Sequence, residues 1–511
     1  MYCKQDSEQL FLEDFFLPFG GKLRADNRWV KLAALMPWDH IDEIYAQSMS
    51  MVTGRHGIPS RIAFGAIFIK EMENLTDVGC VHYIQENPYA QYFLGLKQFQ
   101  EDPLFDASMM VHFRKRFPVN EISRINEYVC TGKWPEESRN VDRNGSSEEN
   151  DEDDKHQDPP TPPAEKESSK GSKNPNTSKK KLKKQKKNKG KLIMDATVAP
   201  ADIKFPTDID LLNKCREHLE TAIDMLWEHV SHNQHKYPYS KKKARKAYLN
   251  VSKSKRWTEK LLRTGIGVQL QCIEKAMARV TKWMQEIDAP KFPGWLNDRL
   301  EIIPQVWEQQ KQMFDTHTHS CKDRIVSLQQ PHVRPINRGK RPNPTEFGQK
   351  LHLSVADGYT FLEQTCWSNY NEGFDLQATV EAYYARFGYY PKAVLADKIY
   401  QTRANRKYCS ELGIRLTGPA LGRKTKAASV QEARQMYRDS CERNAVEGRN
   451  GNLKRRFGLD LISSKLDENA KTEAALNLVA MNAVHRLLHW YTFFWKTNFF
   501  SIKWVAVAVF Q

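Results

Sequence analysis

The sequence predicts an α/β protein in which a mixed sheet carries a helical insertion and follows an N-terminal all-α domain. Three observations predict this fold. Apolar residues recur at helical spacing through residues 1–134. Two apolar, strand-like runs, Leu192–Met194 and Lys392–Ala396, each lead directly into an aspartate. After the insertion, a hairpin pattern around Asp357-Gly358 is followed by alternating helices and short strands, which is typical of a mixed α/β sheet.

Length and composition limit the class of protein. A chain of 511 residues with 40% hydrophobic residues is long enough for about two to four globular domains. Its net charge of +16 predicts a polyanionic partner, nucleic acid rather than membrane. The most apolar stretch, Trp490–Phe510, is interrupted by Lys496 and Lys503 and predicts no membrane span. Nine scattered cysteines without CxxC pairs, and an N-terminus without an apolar signal segment, predict a cytoplasmic protein.

Residues 1–134 are predicted to form a compact helical domain. Its last predicted helix ends in a basic cluster with Arg114 and Arg116 and stops at Pro118. Small helical domains with basic ends suit DNA binding through a helix in a groove, although such bundles are common in other proteins. The predicted helical segments are Asn27–Ser48, Arg61–Asn74, Val81–Leu94 and Met109–Phe117.

Residues 135–191 have the composition of a disordered, charged linker, rich in Pro, Ser, Asn and charge. The charge is segregated: Ser146–Asp154 is acidic, whereas Lys179–Lys191 contains nine lysines. Blocks of like charge are often only solvated. The alternative is that the lysine block follows a DNA backbone and adds salt-sensitive affinity.

The α/β domain that contains the sheet is predicted to comprise residues 192–208 and 340–490. The helical insertion at 209–339 separates these two parts. The basic run YSKKKARKAYLNVSKSKRW in the insertion suits contact with phosphates but also fits a solvated amphipathic helix. Residues 491–511 are an aromatic tail to which the sequence assigns no role. The predicted helices of the insertion are Leu211–His229, Lys241–Asn250 and Lys255–Glu286.

Strands and helices alternate after the insertion. Lys350–Ala356 alternates apolar and polar residues, as expected for a strand with two unlike faces. Asp397 ends the nearly continuous apolar strand that precedes it, in the same way that Asp195 ends the first strand. The other predicted elements are a strand at Tyr359–Trp367, helices at Leu376–Phe387 and Tyr400–Leu412, a strand at Ile414–Thr417 and a polar helix at Asp439–Gly458.

The polar helix presents a charged stripe. Arg443, Glu447, Asn450 and Lys454 fall within roughly 60° of one another at 3.6 residues per turn. A solvated face with ion pairs one turn apart would have the same pattern. However, sites in open α/β sheets form at the carboxyl ends of strands, so Glu447 is expected to meet the two strand-end aspartates there.

Three carboxylates in that position indicate a metal site. Asp195, Asp397 and Glu447 are hard oxygen donors, which Mg²⁺ (or Mn²⁺) binds together with water and substrate phosphate. Two such ions can activate an oxygen nucleophile and stabilise the leaving oxygen of a phosphodiester. Arg443 and Lys454 would hold phosphates, the arginine as a planar fork and the lysine as a point charge.

These residues resemble those of the bacterial insertion-sequence transposases of the DDE, RNase H-like superfamily. NPYAQYFLGL and DPLFDASMMVHFRKRF are similar to their InsH-type N-terminal domain, and DRIVSLQQPHVRPINRGKRPNPTEFGQKLHLSVADGYTF resembles the segment leading into the second strand in one subgroup. The C-terminal signature of that group is Tyr, two residues, Arg, three residues, Glu, six residues, Lys. Arg443, Glu447 and Lys454 match it. Ser440 stands in place of the Tyr, and Tyr437 is the candidate substitute.

The resemblance implies an RNase H-like catalytic domain with Asp195, Asp397 and Glu447 as the catalytic, metal-binding triad. It further implies an enzyme that cleaves insertion-sequence ends and joins the 3′-hydroxyl to target DNA. Two alternatives remain: a catalytically decayed or domesticated DNA-binding protein, and an RNase H-like nuclease without strand transfer.

The expected partner is double-stranded DNA, both terminal inverted repeats and target. By family likeness, a homodimer would hold two ends in a synaptic complex in the bacterial cytoplasm, associated with the nucleoid. The residues predicted to contact DNA are Arg443, Lys454, Lys398, Asn450, Arg449, Arg455, Arg114 and Arg116.

Overall fold

The computed structural model describes residues 2, 11–18, 20–50, 57–135, 187–230, 235–286, 291–338, 345–418 and 426–508. Most of the predicted linker, at 136–186, lies outside these residues. The chain has the mixed α/β structure that the sequence predicts, with N-terminal helices, a six-stranded sheet interrupted by a helical insertion, and further helices after the sheet. In the described part, no helix is both long and apolar enough to cross a membrane.

Seven helices lie in the described ranges 28–50 and 57–131. The first begins where the Asn27 side chain accepts a hydrogen bond from the Trp29 amide. It ends before Pro37, so the predicted helix Asn27–Ser48 is two helices, because the residue that precedes a proline is driven out of helical conformation. The helices are α1 (Arg28–Leu35), α2 (Trp38–Gln47), α3 (Ser60–Glu73), α4 (Asp77–Glu86), α5 (Pro88–Phe93), α6 (Met109–Lys115) and α7 (Val119–Thr131).

These seven helices do not enclose a core of their own. Their buried side chains, such as Trp29 and Phe64, belong to one hydrophobic cluster with the C-terminal helix α15 (Asp467–Ala508) and with Leu351 and Leu353 of the sheet. Helix α15 packs directly on α3, α6 and α7. The predicted N-terminal unit is therefore helical, but its side chains pack in the same core as residues beyond its predicted boundary at residue 134.

The sheet is mixed. Its strands are β1 (Lys191–Pro200), β2 (Arg334–Asn337), β3 (Thr345–Ala356), β4 (Tyr359–Cys366), β5 (Ala393–Leu395) and β6 (Arg415–Leu416). β1 is central, antiparallel to β3 and parallel to β5, and β6 extends the parallel half. β2 and β4 pair with different parts of β3. Because β2 pairs with the start of β3, the sheet resumes at Arg334, and the predicted insertion 209–339 extends too far.

The hairpin between β3 and β4 is the predicted one. Asp357 and Gly358 both have positive φ values, 49° and 82°. Two successive positive φ values match the right-handed twist of the flanking strands, and Asp-Gly is a favoured pair for such a turn.

In the described part of the segment between β1 and β2, four helices form the insertion. They are α8 (Asp208–Trp227), α9 (Lys241–Ser252), α10 (Glu259–Glu286) and α11 (Gly294–Thr316). Leu212, Ile273 and Val306 are buried in a hydrophobic cluster separate from that of the sheet. The insertion is therefore a packed unit with its own hydrophobic core, inserted between two strands of the sheet. The sequence patterns missed α11.

Helices cover both faces of the sheet. α12 (Leu376–Phe387) and α13 (Arg403–Glu411) pack with Leu192 and Met194 of β1 on one face. α14 (Lys426–Arg456) and α15 lie on the other. Because successive side chains of a strand point to opposite faces, Asp195 points towards α14.

Candidate active site

The register of the parallel strands brings Asp195 and Asp397 to the same level. Ile193 of β1 pairs with Leu395 of β5, and each aspartate follows two residues later. Neighbouring strands lie about 4.8 Å apart, so the two carboxylates leave the sheet side by side. Asp397 lies just beyond the end of β5, as predicted. Asp195 does not end its strand, because antiparallel pairing with β3 carries β1 on to Pro200.

Helix α14 reaches both carboxylates from one face. Arg443 lies at its middle, with Nη1 3.3 Å from Oδ1 of Asp397. Two turns later, Nδ2 of Asn450 donates to Oδ2 of Asp195, also over 3.3 Å. Residues seven apart lie on the same side of a helix. The predicted stripe is therefore the face of α14 that spans the two aspartates.

Glu447 lies on this stripe between Arg443 and Asn450, one turn from each. It is exposed, as are Ser440 and Tyr437 earlier in the helix. Within the described ranges, no group of three or more His, Cys, Asp or Glu side chains is close enough to hold a metal ion. In this conformation α14 meets the sheet through a guanidinium and an amide, with the Glu447 carboxylate exposed beside them.

The two aspartates have different environments. Asp397 is 59% exposed at its side chain and pairs with Arg443. Asp195 is partly buried, and burial together with the charge of Glu372 raises the pKa of its carboxyl, although Arg443 and Arg338 oppose this. A nearby cation favours the charged form of a carboxyl, so a bound cation would offset the effect of burial at Asp195.

Glu372 is an acidic neighbour that the sequence analysis missed. It lies on the 3₁₀ turn Glu372–Asp375, with Oε1 2.8 Å from Lys350 Nζ. The Tyr400 hydroxyl donates to its Oε2 over 3.4 Å. Nothing in the local sequence marks this residue, because only the packing of that turn against the segment after Asp397 brings it near Asp195.

Family models match two stretches of the chain. Residues 394–483 match a family described as a transposase DDE domain, and residues 18–116 match a transposase domain, DUF772. The first stretch contains Asp397, Arg443 and Glu447. Both matches are to transposase domains, which confirms the resemblance that the sequence predicts.

A curated relative from Rhizobium meliloti, an uncharacterized protein described as ORF8 in the nfe locus, is 37% identical over 87 residues. The match covers 17% of this chain and 42% of that relative, so it spans less than half the length of either protein. No solved structure matches the chain.

Three further residues predicted to contact DNA lie on α14 or directly after Asp397. Lys398 is exposed directly after Asp397, Arg455 is exposed at the end of α14, and Lys454 is partly buried. Their contact with DNA stays a prediction.

Arg449 has a different position. Its Nη2 lies 3.2 Å from Nε2 of His485 on α15, and burial lowers the pKa of both groups, that of His485 to about 4. The guanidinium lies between α14 and α15, and the contact of Arg449 with DNA stays a prediction.

Arg114 of the N-terminal basic cluster is not a surface residue. It is 5% exposed and forms a bidentate ion pair with Asp77, over 2.9 and 2.7 Å. Its guanidinium joins α6 to α4, and its contact with DNA stays a prediction. Arg116 is partly buried and donates to the Tyr45 hydroxyl over 2.6 Å, and its contact with DNA stays a prediction. Lys115 is the exposed basic residue between them.

Proposed function

We propose that this protein is a DNA transposase, which cleaves the ends of an insertion sequence and joins the freed 3′-hydroxyl to target DNA on an RNase H-like fold. The observation that carries the proposal is the position of α14 across the two aspartates. Arg443 meets Asp397 and Asn450 meets Asp195, so Glu447 lies between them. Helix α14 and Asp397 belong to the stretch that matches the DDE domain.

The donor set fits Mg²⁺ or Mn²⁺. Asp195, Asp397 and Glu447 offer only oxygen, and exposed Asp397 and Glu447 are open to a hydrated ion with phosphate attached. Bound ions would activate the attacking oxygen and stabilise the leaving oxygen. Arg443 now supplies positive charge next to Asp397, which supports the view that this position favours a cation.

The side chains around the carboxylates would position the DNA. Arg443 can give a planar pair of N–H donors to a phosphate when a metal ion replaces it at Asp397. Lys398, directly after Asp397, and Lys454, two turns after Glu447, would contact phosphates on either side of the scissile bond. These contacts orient the phosphodiester so that the attacking and leaving oxygens lie in line.

The remaining parts of the chain have proposed roles in assembly. We assign recognition of the terminal inverted repeats to helices α1–α7, within the stretch that matches the DUF772 transposase domain. A homodimer would hold two ends together in a synaptic complex. The basic helix α9 adds phosphate contacts from the insertion.

The experiment is cleavage of a labelled duplex that carries the element's own ends, in Mg²⁺ or Mn²⁺. We expect the wild-type protein to cleave the duplex. The cleavage rate of Glu447→Gln should fall by more than the roughly 10–100-fold that is typical of changes to residues outside the metal ligands. Glu442→Gln is the matched control, since Glu442 lies on the same helix and pairs with Lys191. Equal cleavage by wild type and Glu447→Gln would remove Glu447 from the site.

A second assay separates transposition from simple hydrolysis. Pre-cut ends with a free 3′-hydroxyl are incubated with a supercoiled target. Joined products that depend on Asp195 and Asp397 support the transposase. Cleavage without joining would identify a nuclease, and end binding without either reaction would identify a DNA-binding protein.

A further inference from the structure

Asn450 interrupts an apolar stripe of α14. Val446 and Leu453 of α14 and Phe457, directly after the helix, are 2%, 0% and 2% exposed, and they face the core at intervals of seven and four residues. Asn450 falls on the same stripe, one turn after Val446. The other three positions are apolar because they pack inside the protein. A polar residue at this position therefore calls for a partner.

Among the residues that the structure describes, only one half of the Asn450 amide has a partner. Nδ2 donates to Oδ2 of Asp195 over 3.3 Å. Oδ1 is buried and has no hydrogen-bond partner among the described residues. A buried polar atom left unpaired is destabilising, and leucine would fill the same space without that penalty.

The carboxylate of Asp195 determines which way the amide points. If the amide were rotated by 180°, Oδ1 would face an oxygen of Asp195, and two acceptors would oppose each other. The nitrogen is therefore the atom that faces Asp195, and Oδ1 is the buried atom on the other arm of the amide. The unpaired oxygen thus follows from the contact with Asp195.

We propose that Oδ1 of Asn450 is a further oxygen ligand of the divalent cation bound by Asp195. This rests on the proposed function, because it adds a residue to the same site. Amide oxygens, like carboxylates and water, suit Mg²⁺ and Mn²⁺. Being neutral, the amide adds a ligand without adding repulsion between carboxylates. It also holds Asp195, through Nδ2, in the position from which both can bind.

The test measures Mn²⁺ binding to the full-length protein without DNA, from the electron paramagnetic resonance signal of free Mn²⁺. We expect Asn450→Leu to weaken binding by about tenfold or more while its melting temperature stays equal or rises. Asn450→Asp keeps an oxygen at the position and should bind Mn²⁺ at least as tightly as wild type. Asn452→Leu, on the opposite side of α14, should bind like wild type.

Each result is decisive. If Asp195→Asn loses binding but Asn450→Leu keeps it, the cation site stands and Asn450 is not part of it. If Asn450→Asp loses binding as severely as Asn450→Leu, the N–H donor is what matters, and the residue positions Asp195 without ligating. If Asp195→Asn binds as much Mn²⁺ as wild type, or if wild type binds none, the metal site of the proposed function is wrong. The role of Asn450 is then wrong as well.

Discussion

Arg386 provides the strongest test of how the parts of this chain are joined. Its guanidinium is 7% exposed and donates to Glu363 of β4 over 2.5 and 3.0 Å, and to Glu127 of α7 over 2.7 Å. One side chain of α12 thus ties the N-terminal helices to the sheet. Burial alone would raise the pKa of Glu363, but Arg386 and the Ser354 hydroxyl outweigh it and hold that pKa below its usual value.

We predict that Arg386→Met lowers the free energy of unfolding by about 3–5 kcal/mol, because it leaves a 3% exposed carboxylate without its cation. The measurement is urea unfolding at neutral pH, followed by tryptophan fluorescence. A group with a lowered folded pKa stabilises the fold above its unfolded pKa and loses this effect as the pH falls. The deficit of Arg386→Met should therefore shrink towards pH 4.

The control for this prediction is Arg403→Met, at an exposed position of α13, which should change the free energy of unfolding by less than about 0.5 kcal/mol. A second comparison combines Arg386→Met with Glu363→Gln, which removes the stranded charge and should recover part of the loss. A loss below about 1 kcal/mol in Arg386→Met, or a loss independent of pH, would refute the view that this buried network joins the two parts.

Three further predictions follow from other positions. Burial raises the pKa of Glu71 to about 7, so its stabilising effect is complete below pH 4.5 and is lost as the pH rises through 7. Relative to wild type, Glu71→Gln should therefore gain about 3 kcal/mol of stability between pH 5 and pH 8 in urea titrations. A difference between the two proteins that does not change with pH would contradict this. Gly348→Ala places a Cβ 2.1 Å from a backbone oxygen of β1 and should destabilise the sheet, whereas Gly448→Ala, with open space around it in a helix, should raise the melting temperature. Lys242 and Lys246 of α9 are exposed, and both can be replaced by Gln. The slope of log DNA affinity against log salt concentration should then become shallower by about 0.9 for each of these lysines that contacts a phosphate. An unchanged slope would exclude α9 from the DNA interface.

The elements after the insertion could be predicted because their signals are local. Helix α12 has its predicted bounds, Leu376–Phe387, and it ends at Gly388, whose φ of 74° suits a glycine after the last turn. The Asp357-Gly358 hairpin is equally local. In each case the residues that determine the structure lie within one turn of the element that they end.

Burial of charged residues could not be predicted in the same way. Arg114 is part of a basic run, which indicated a surface for DNA. Its partner, Asp77, lies 37 residues earlier, and α6 must pack beside α4 before the two can meet. The sequence shows the charge of Arg114 but not whether a carboxylate already neutralises it.

In the candidate site, too, local features could be predicted from the sequence, whereas contacts between distant residues could not. The stripe on α14 follows from helical periodicity, and the apolar runs before Asp195 and Asp397 follow from composition. That Arg443 reaches Asp397 and Asn450 reaches Asp195 depends on how β1 and β5 pair, and these contacts join residues 46 and 255 positions apart. Glu372, too, enters the surroundings of Asp195 only through tertiary packing.

The segment between α14 and α15 links the proposed end-binding helices to the carboxylates. Ile462 donates its amide to Pro200 at the end of β1 over 2.8 Å, and the adjacent Ser463 donates its own to Glu473 of α15 over 3.0 Å. Glu473 lies 3.7 Å from Lys70 of α3. The strand that carries Asp195 is thus connected, through a buried ion pair, to the N-terminal helices. A DNA end bound by those helices would be held in a fixed relation to the site, because both belong to one continuous core.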